Sequence, residues 1–101
     1  MSTIIDYNLS LFAYNLRKGM RNVQFSKEDI GLTIKKLRKE KEISQEVLSG
    51  LAGIARTHLT MIENGNKQAN FETLCKIAAA FDMKPSELIR RIEETVETQA
   101  G

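Results

Sequence analysis

The chain has 101 residues, 42% of them hydrophobic and 28% charged, which suits one globular domain and excludes an intrinsically disordered chain. A single cysteine excludes an intramolecular disulfide framework and a cysteine-based zinc cluster, and no apolar run is long enough for a spanning helix, so no membrane contact is expected. The formal charge is only +2, but residues 1–67 hold 11 of the 15 Lys and Arg with 7 of the 13 Asp and Glu, a net +4, while residues 68–101 carry −2. A basic front of this kind can meet phosphate, and a solvated surface produces the same asymmetry.

Residues 1–25 read as an N-terminal extension. Their apolar positions (Ile4, Ile5, Leu9, Leu11, Phe12, Leu16, Met20, Val23, Phe25) keep no single period. A short helix over about 8–18, with Gly19 as its C′ residue, and a strand over 3–7 both fit. The apolar content predicts that this segment packs on the domain, on a second subunit or on another protein. It has no basic start followed by an apolar stretch and a small-residue cleavage site, so no secretory signal is expected and the reducing cytoplasm is the expected setting.

From Ser26 the signals sharpen. Ser26 with Asp29 three residues on forms an acidic capping box, and Ile30, Ile34 and Leu37 then repeat at helical spacing, predicting a first helix over about 27–41. Ser44 is an N-cap for a short second helix, about 45–52, with Val47, Leu48 and Leu51 as candidate inward residues and Gly53 as its stop. A third helix covers about 55–64 and stops at Gly65. A polar connector, 66–70, leads to a fourth helix over about 71–81, with Phe71, Leu74, Ile77, Ala78 and Phe81 on one face. Pro85 stands in the first turn of a fifth helix, where its missing N–H costs nothing; that helix is predicted to end near Glu97. The expected fold is all-α: five helices with connectors of a few residues in a compact bundle over 26–97, followed by a flexible tail at 98–101.

The third helix carries the chemistry. At about 100° per residue, Ala55, Leu59 and Ile62 fall on one side and Arg56, Thr57, Thr60 and Met61 on the other. An α-helix fits the major groove of B-DNA, where Arg can bond guanine O6 and N7 and a Thr methyl can touch the thymine methyl. The same stripe is also what the wet side of any surface helix looks like.

The flanking residues favour the first reading. The run Ser44-Gln45-Glu46-Val47-Leu48-Ser49-Gly50-Leu51-Ala52-Gly53-Ile54-Ala55-Arg56-Thr57-His58-Leu59-Thr60-Met61-Ile62-Glu63-Asn64-Gly65 resembles the lambda-repressor-like (Cro/repressor, XRE-type) helix-turn-helix family, whose form is S-Q-x-x-L-A-x-x-x-G-[VI]-S-x-x-x-[IL]-S-x-[IL]-E-x-G. Ile30, Gly31, Ile34, Leu37 and Arg38 look like that family's first helix. Thr73, Leu74, Ile77, Ala78, Ala80 and Phe81, then Pro85 to Leu88, look like its fourth and fifth. The likeness covers roughly residues 28–92, and the Arg56-Thr57-His58 stretch is similar to controller proteins of restriction–modification systems.

The resemblance implies a sequence-specific double-stranded DNA-binding transcriptional regulator acting as a homodimer on a near-palindromic operator. It places Arg56, Thr57, Thr60 and Met61 at base edges, and Ser44, Gln45, His58, Asn64, Asn66 and Lys67 along the sugar-phosphate chain. Phosphate contacts set register and base contacts choose sequence. It also implies a structural ion pair between Arg38 and Glu63. Two departures matter. Ser49 replaces the usual small Ala, and Ala55 replaces a capping Ser, which costs about 1 kcal/mol. Since Met61 is a poor hydrogen-bonding reader, base readout is expected to rest on Arg56 and Thr57, with DNA shape supplying the remainder.

The dimer surface is expected from Leu88, Ile89, Ile92 and Val96 on the fifth helix, which can equally complete the monomer's own core. His58 has no ligand-spaced partner for a metal, Cys75 reads as a core-edge residue, and Glu93, Glu94 and Glu97 as a solvated acidic end. With no phosphate loop, paired carboxylates or nucleotide fingerprint, neither an enzyme nor a cofactor is expected. Two alternatives stay open: an antitoxin that grips a toxin through residues 1–25 or the C-terminus, and a protein adaptor that has lost DNA binding.

Overall fold

The computed structural model describes Leu9 and residues 25–100, Gln99 and Ala100 by backbone alone. The expectations for the remainder of residues 1–24, helix or strand, packing or partner contact, lie outside the described residues. Five helices make up the described region: α1 (Lys27–Glu40), α2 (Gln45–Ala52), α3 (Arg56–Glu63), α4 (Phe71–Ala80) and α5 (Pro85–Ala100). None of them is long and apolar enough to cross a membrane.

The helix starts follow local chemistry. The Ser26 hydroxyl accepts from the Asp29 N–H at 3.1 Å and donates to the Asp29 carboxylate at 2.8 Å, which begins α1. The Ser44 hydroxyl accepts from the Val47 N–H at 3.1 Å, and the Asn70 carbonyl oxygen from the Thr73 N–H at 2.8 Å, beginning α2 and α4. At α5 the Glu87 carboxylate accepts from the Lys84 N–H at 2.8 Å. Each bond from a backbone N–H satisfies one of the groups that a helix start leaves unpaired. Ala55 gives α3 no such bond.

Two stops are glycines in the left-handed region, Gly53 (φ 70°) after α2 and Gly65 (φ 76°) after α3. The turns after α1 and α4 put Glu42 (φ 54°) and Asp82 (φ 59°) in the same region, so left-handed stops occur where the sequence has no glycine to signal them. Helix α5 runs to Ala100, past the end expected near Glu97 and through most of the segment 98–101 read as a flexible tail. No Gly or Pro lies between Pro85 and Ala100 to break it.

One core joins the five helices. Ile30, Ile34 and Leu37 of α1 meet Leu48 of α2, Leu59 and Ile62 of α3, Ile77 and Ala78 of α4, and Leu88 and Ile92 of α5. Helix α1 packs on α3 and α5, α2 on α3 and α4, and α4 on α5. The α1–α5 seam also carries polar contacts. There the buried Thr33 hydroxyl lies 2.7 Å from that of Thr95, and Arg91 Nη2 reaches the Glu40 carboxylate at 3.1 Å.

Four inward assignments are corrected. Val47 and Leu51 face outward, Leu51 with 64% of its surface exposed, while Ser49 and Ala52 take the inner positions beside Leu48. Phe71, at the very start of α4, is 68% exposed. Ala55 stands ahead of α3 as its N-cap and is exposed, so the buried stripe of α3 is Leu59, Ile62 and Glu63. In an eight-residue helix a stripe of two or three residues leaves the absolute rotation open, and neighbouring helices choose it.

Of the four residues expected at a dimer surface, two lie inside the monomer. Leu88 and Ile92 are 0% and 1% exposed inside their own chain. They complete the core against α1 and α4, and Ile89 and Val96 are half-buried at its margin.

Candidate nucleic-acid interface

The outer face of α3 is a short, largely polar strip. Arg56, Thr57 and Met61 are exposed, while Leu59 and Ile62 below them are fully buried. Arg56 Nη1 lies 4.0 Å from the Glu46 carboxylate at the start of α2, and both side chains are largely in solvent. Such a pair is weak, so the guanidinium stays available to a stronger partner. His58, half-buried, sits at the flank of the strip.

The strip is held from behind. Glu63, the last residue of α3, has a side chain with 0% exposure, and that of Arg38 has 12%. Arg38 Nε donates to Glu63 Oε2 at 2.7 Å and Arg38 Nη2 to Oε1 at 3.0 Å, a two-pronged contact. Arg38 Nη1 also donates to the Ile43 carbonyl at 3.0 Å, tying in the connector before α2. The hydrogen bond to Glu63 raises the pKa of Arg38 above the ordinary guanidinium value against the opposing effect of burial. Arg38 therefore stays charged throughout the pH range in which proteins are handled.

A carboxylate buried this fully needs more donors than one arginine supplies. The additional donor is Gln45, whose Nε2 donates to Glu63 Oε1 at 2.9 Å. The carbonyl end of the Gln45 side chain accepts from the Thr60 hydroxyl at 2.9 Å. Arg38, Glu63, Gln45 and Thr60 thus form one chain of contacts running from α1 through the end of α3 to the start of α2 and back to the middle of α3.

Backbone geometry closes the far end. Gly31 lets α1 approach the last turn of α3 so closely that a Cβ there would overlap the Ile62 carbonyl oxygen and lie 3.1 Å from that of Glu63. After α3, the Asn66 and Lys67 N–H groups both return to the Met61 carbonyl, at 2.9 and 3.2 Å. This fold-back leaves the side chains of Asn64, Asn66 and Lys67 exposed beside the end of the strip.

Of the expected site residues, Arg56, Thr57, Met61, Ser44, Asn64, Asn66 and Lys67 are exposed around α3 and its two flanks. Thr60 and Gln45 differ: both are half-buried and bonded to each other. The part of Glu63 in holding Gln45 was missed. Its signal is the alternation of two polar residues, Thr60 and Glu63, at spacing three on a helix whose other inward positions are apolar.

Comparison with known proteins agrees with this geometry. The family model HTH_3, helix-turn-helix, matches residues 34–88. The chain is 40% identical over 65 residues to control protein C.MunI of Mycoplasma sp, an alignment spanning 63% of this chain and 88% of that protein. The crystal structure of the restriction-modification controller protein C.AhdI from Aeromonas hydrophila is 32% identical with a TM-score of 0.59, covering 61% of this chain and 94% of that one. That of the restriction-modification controller protein C.Esp1396I superposes with a TM-score of 0.66 over 72% of this chain and 94% of that one; at 22% identity it speaks to the fold alone.

Proposed function

The chain belongs to the XRE-type helix-turn-helix family of DNA-binding transcription regulators, and from that premise we propose that it is a sequence-specific regulator acting as a homodimer on a near-palindromic operator. Helix α3 enters the major groove. Arg56 and Thr57 read base edges and Met61 packs beside them, while Ser44, Gln45, His58, Asn64, Asn66 and Lys67 lie along the phosphates of the same groove. The observation that carries this reading is an exposed Arg56–Thr57–Met61 strip on a helix whose opposite side is fully buried and whose end is pinned by a buried ion pair.

Two arguments support the dimer. An eight-residue helix spans only a few base pairs, and a twofold pair of such helices about 34 Å apart matches one turn of B-DNA. On α5, Ile89 and Val96 lie half-buried at the margin of the core and can extend to a second subunit, with Leu88 and Ile92 packed beneath them. By analogy with the controller proteins it resembles, the chain would regulate a restriction–modification operon. Selection of bound sites from a random duplex library tests the whole reading. Two inverted half-sites about one turn apart are expected. A single unrepeated half-site would remove the dimer, and absence of salt-dependent binding to any duplex would remove DNA binding itself.

A further inference from the structure

We propose that Thr60 is a positioning residue for a phosphate clamp formed by Gln45, and not a reader of bases; the inference rests on the DNA-binding reading above. The Gln45 carboxamide has one fixed orientation. Its two ends meet Glu63 Oε1 at 2.9 Å and Thr60 Oγ1 at 2.9 Å. The carboxylate only accepts, so the end facing it must be the NH2 group, and the carbonyl oxygen must face the hydroxyl. Thr60 Oγ1 also lies 3.0 Å from the Arg56 carbonyl oxygen. Both neighbours are acceptors, so the single hydroxyl proton is divided between them and none remains to donate to a base.

The same bookkeeping leaves Gln45 with one proton in hand. Nε2 carries two, and Glu63 takes one. The other has no acceptor among the described residues, and it sits at the first turn of α2, where the helix dipole already favours an anion. A phosphate oxygen is the acceptor this geometry suits. Because Glu63 is itself locked by Arg38, the carboxamide is held in its working rotamer before DNA arrives, and binding does not have to order it.

The claim separates Thr60 from the exposed strip beside it. A hydroxyl acting through Gln45 changes affinity for every duplex equally, whereas a methyl group reading thymine changes preference at one base pair. Thr60→Val keeps the methyl and removes the hydroxyl; Thr60→Ser does the reverse.

The experiment measures affinity by fluorescence anisotropy for a labelled random-sequence duplex and for the library-selected duplex with its single-base-pair variants, with thermal unfolding as the control on folding. Gln45→Ala is expected to weaken binding about ten-fold and Thr60→Val about three-fold, uniformly across all duplexes. Thr60→Ser restores the affinity, and the Gln45→Ala/Thr60→Val double variant binds no more weakly than Gln45→Ala alone. The salt dependence stays unchanged throughout, since no charge is removed. Additive losses in the double variant, or a Thr60→Ser protein with relaxed preference at one base pair, would overturn the inference while leaving DNA binding intact. A wild-type protein with no salt-dependent binding to either duplex overturns both.

Discussion

Gly31 and Gly50 are both helical glycines, and replacing each by alanine should move stability in opposite directions. Intrinsic propensity favours Ala over Gly inside a helix by about 1 kcal/mol. At Gly50, on the exposed side of α2, a Cβ meets nothing within 4 Å, so that gain should appear nearly whole. At Gly31 a Cβ would overlap the Ile62 carbonyl oxygen and press on the Glu63 backbone at 3.1 and 3.2 Å. These are main-chain atoms in the last turn of a helix and have no rotamer to retreat into. Relief requires α1 and α3 to separate by roughly 1 Å, which loosens the packing of Ile34 and Ile62; overpacking of this kind costs about 1–3 kcal/mol, and more against rigid backbone. The net for Gly31→Ala is therefore a loss of about 2 kcal/mol, or a fall in Tm of roughly 10 °C for a domain of this size. Urea unfolding followed by circular dichroism measures both variants against wild type. If Gly31→Ala proved as stable as wild type or more so, the close approach of α1 to α3 described above would be wrong.

Three further outcomes follow from the same geometry. Arg38→Met strands the Glu63 carboxylate with Gln45 as its remaining donor and should cost about 3–5 kcal/mol, whereas Arg38→Met/Glu63→Leu should recover most of it, because an apolar pair needs no compensation; urea titrations that rank the double variant with the single one would contradict this. Ala55→Ser supplies the missing cap of α3 and should add roughly 0.5–1 kcal/mol, read as a raised midpoint of thermal unfolding. On DNA, Arg56→Ala should lose about 1–3 kcal/mol and relax one base preference, while Lys67→Ala should weaken all duplexes alike and lower the salt slope by about one; anisotropy titrations at several salt concentrations distinguish the two, and equal losses on all sequences for Arg56→Ala would deny it a base-reading role.

What could be read along the chain was what local chemistry controls. Ser26, Ser44 and Pro85 mark helix starts and Gly53 and Gly65 mark stops, because caps and left-handed turns act within a few residues. The order and approximate lengths of the five helices, and the run from Ser44 to Gly65 that places α2 and α3 as a helix-turn-helix pair, needed nothing more.

Tertiary structure decided everything that depends on contact between distant positions. Periodicity ranks residues around a helix but leaves the helix free to rotate, so only packing could send Leu51 and Phe71 outward and draw Leu88 and Ile92 into the monomer. The left-handed turns at Glu42 and Asp82 have no glycine to announce them along the chain. The bond from Gln45 to Thr60 spans 15 positions and that from Arg38 to Glu63 spans 25. Side chains so far apart along the chain exchange hydrogen bonds only after the hydrophobic core has brought their backbones together, which is why α3 read by itself shows Thr60 on the outer stripe and only the folded molecule shows its hydroxyl bonded to Gln45.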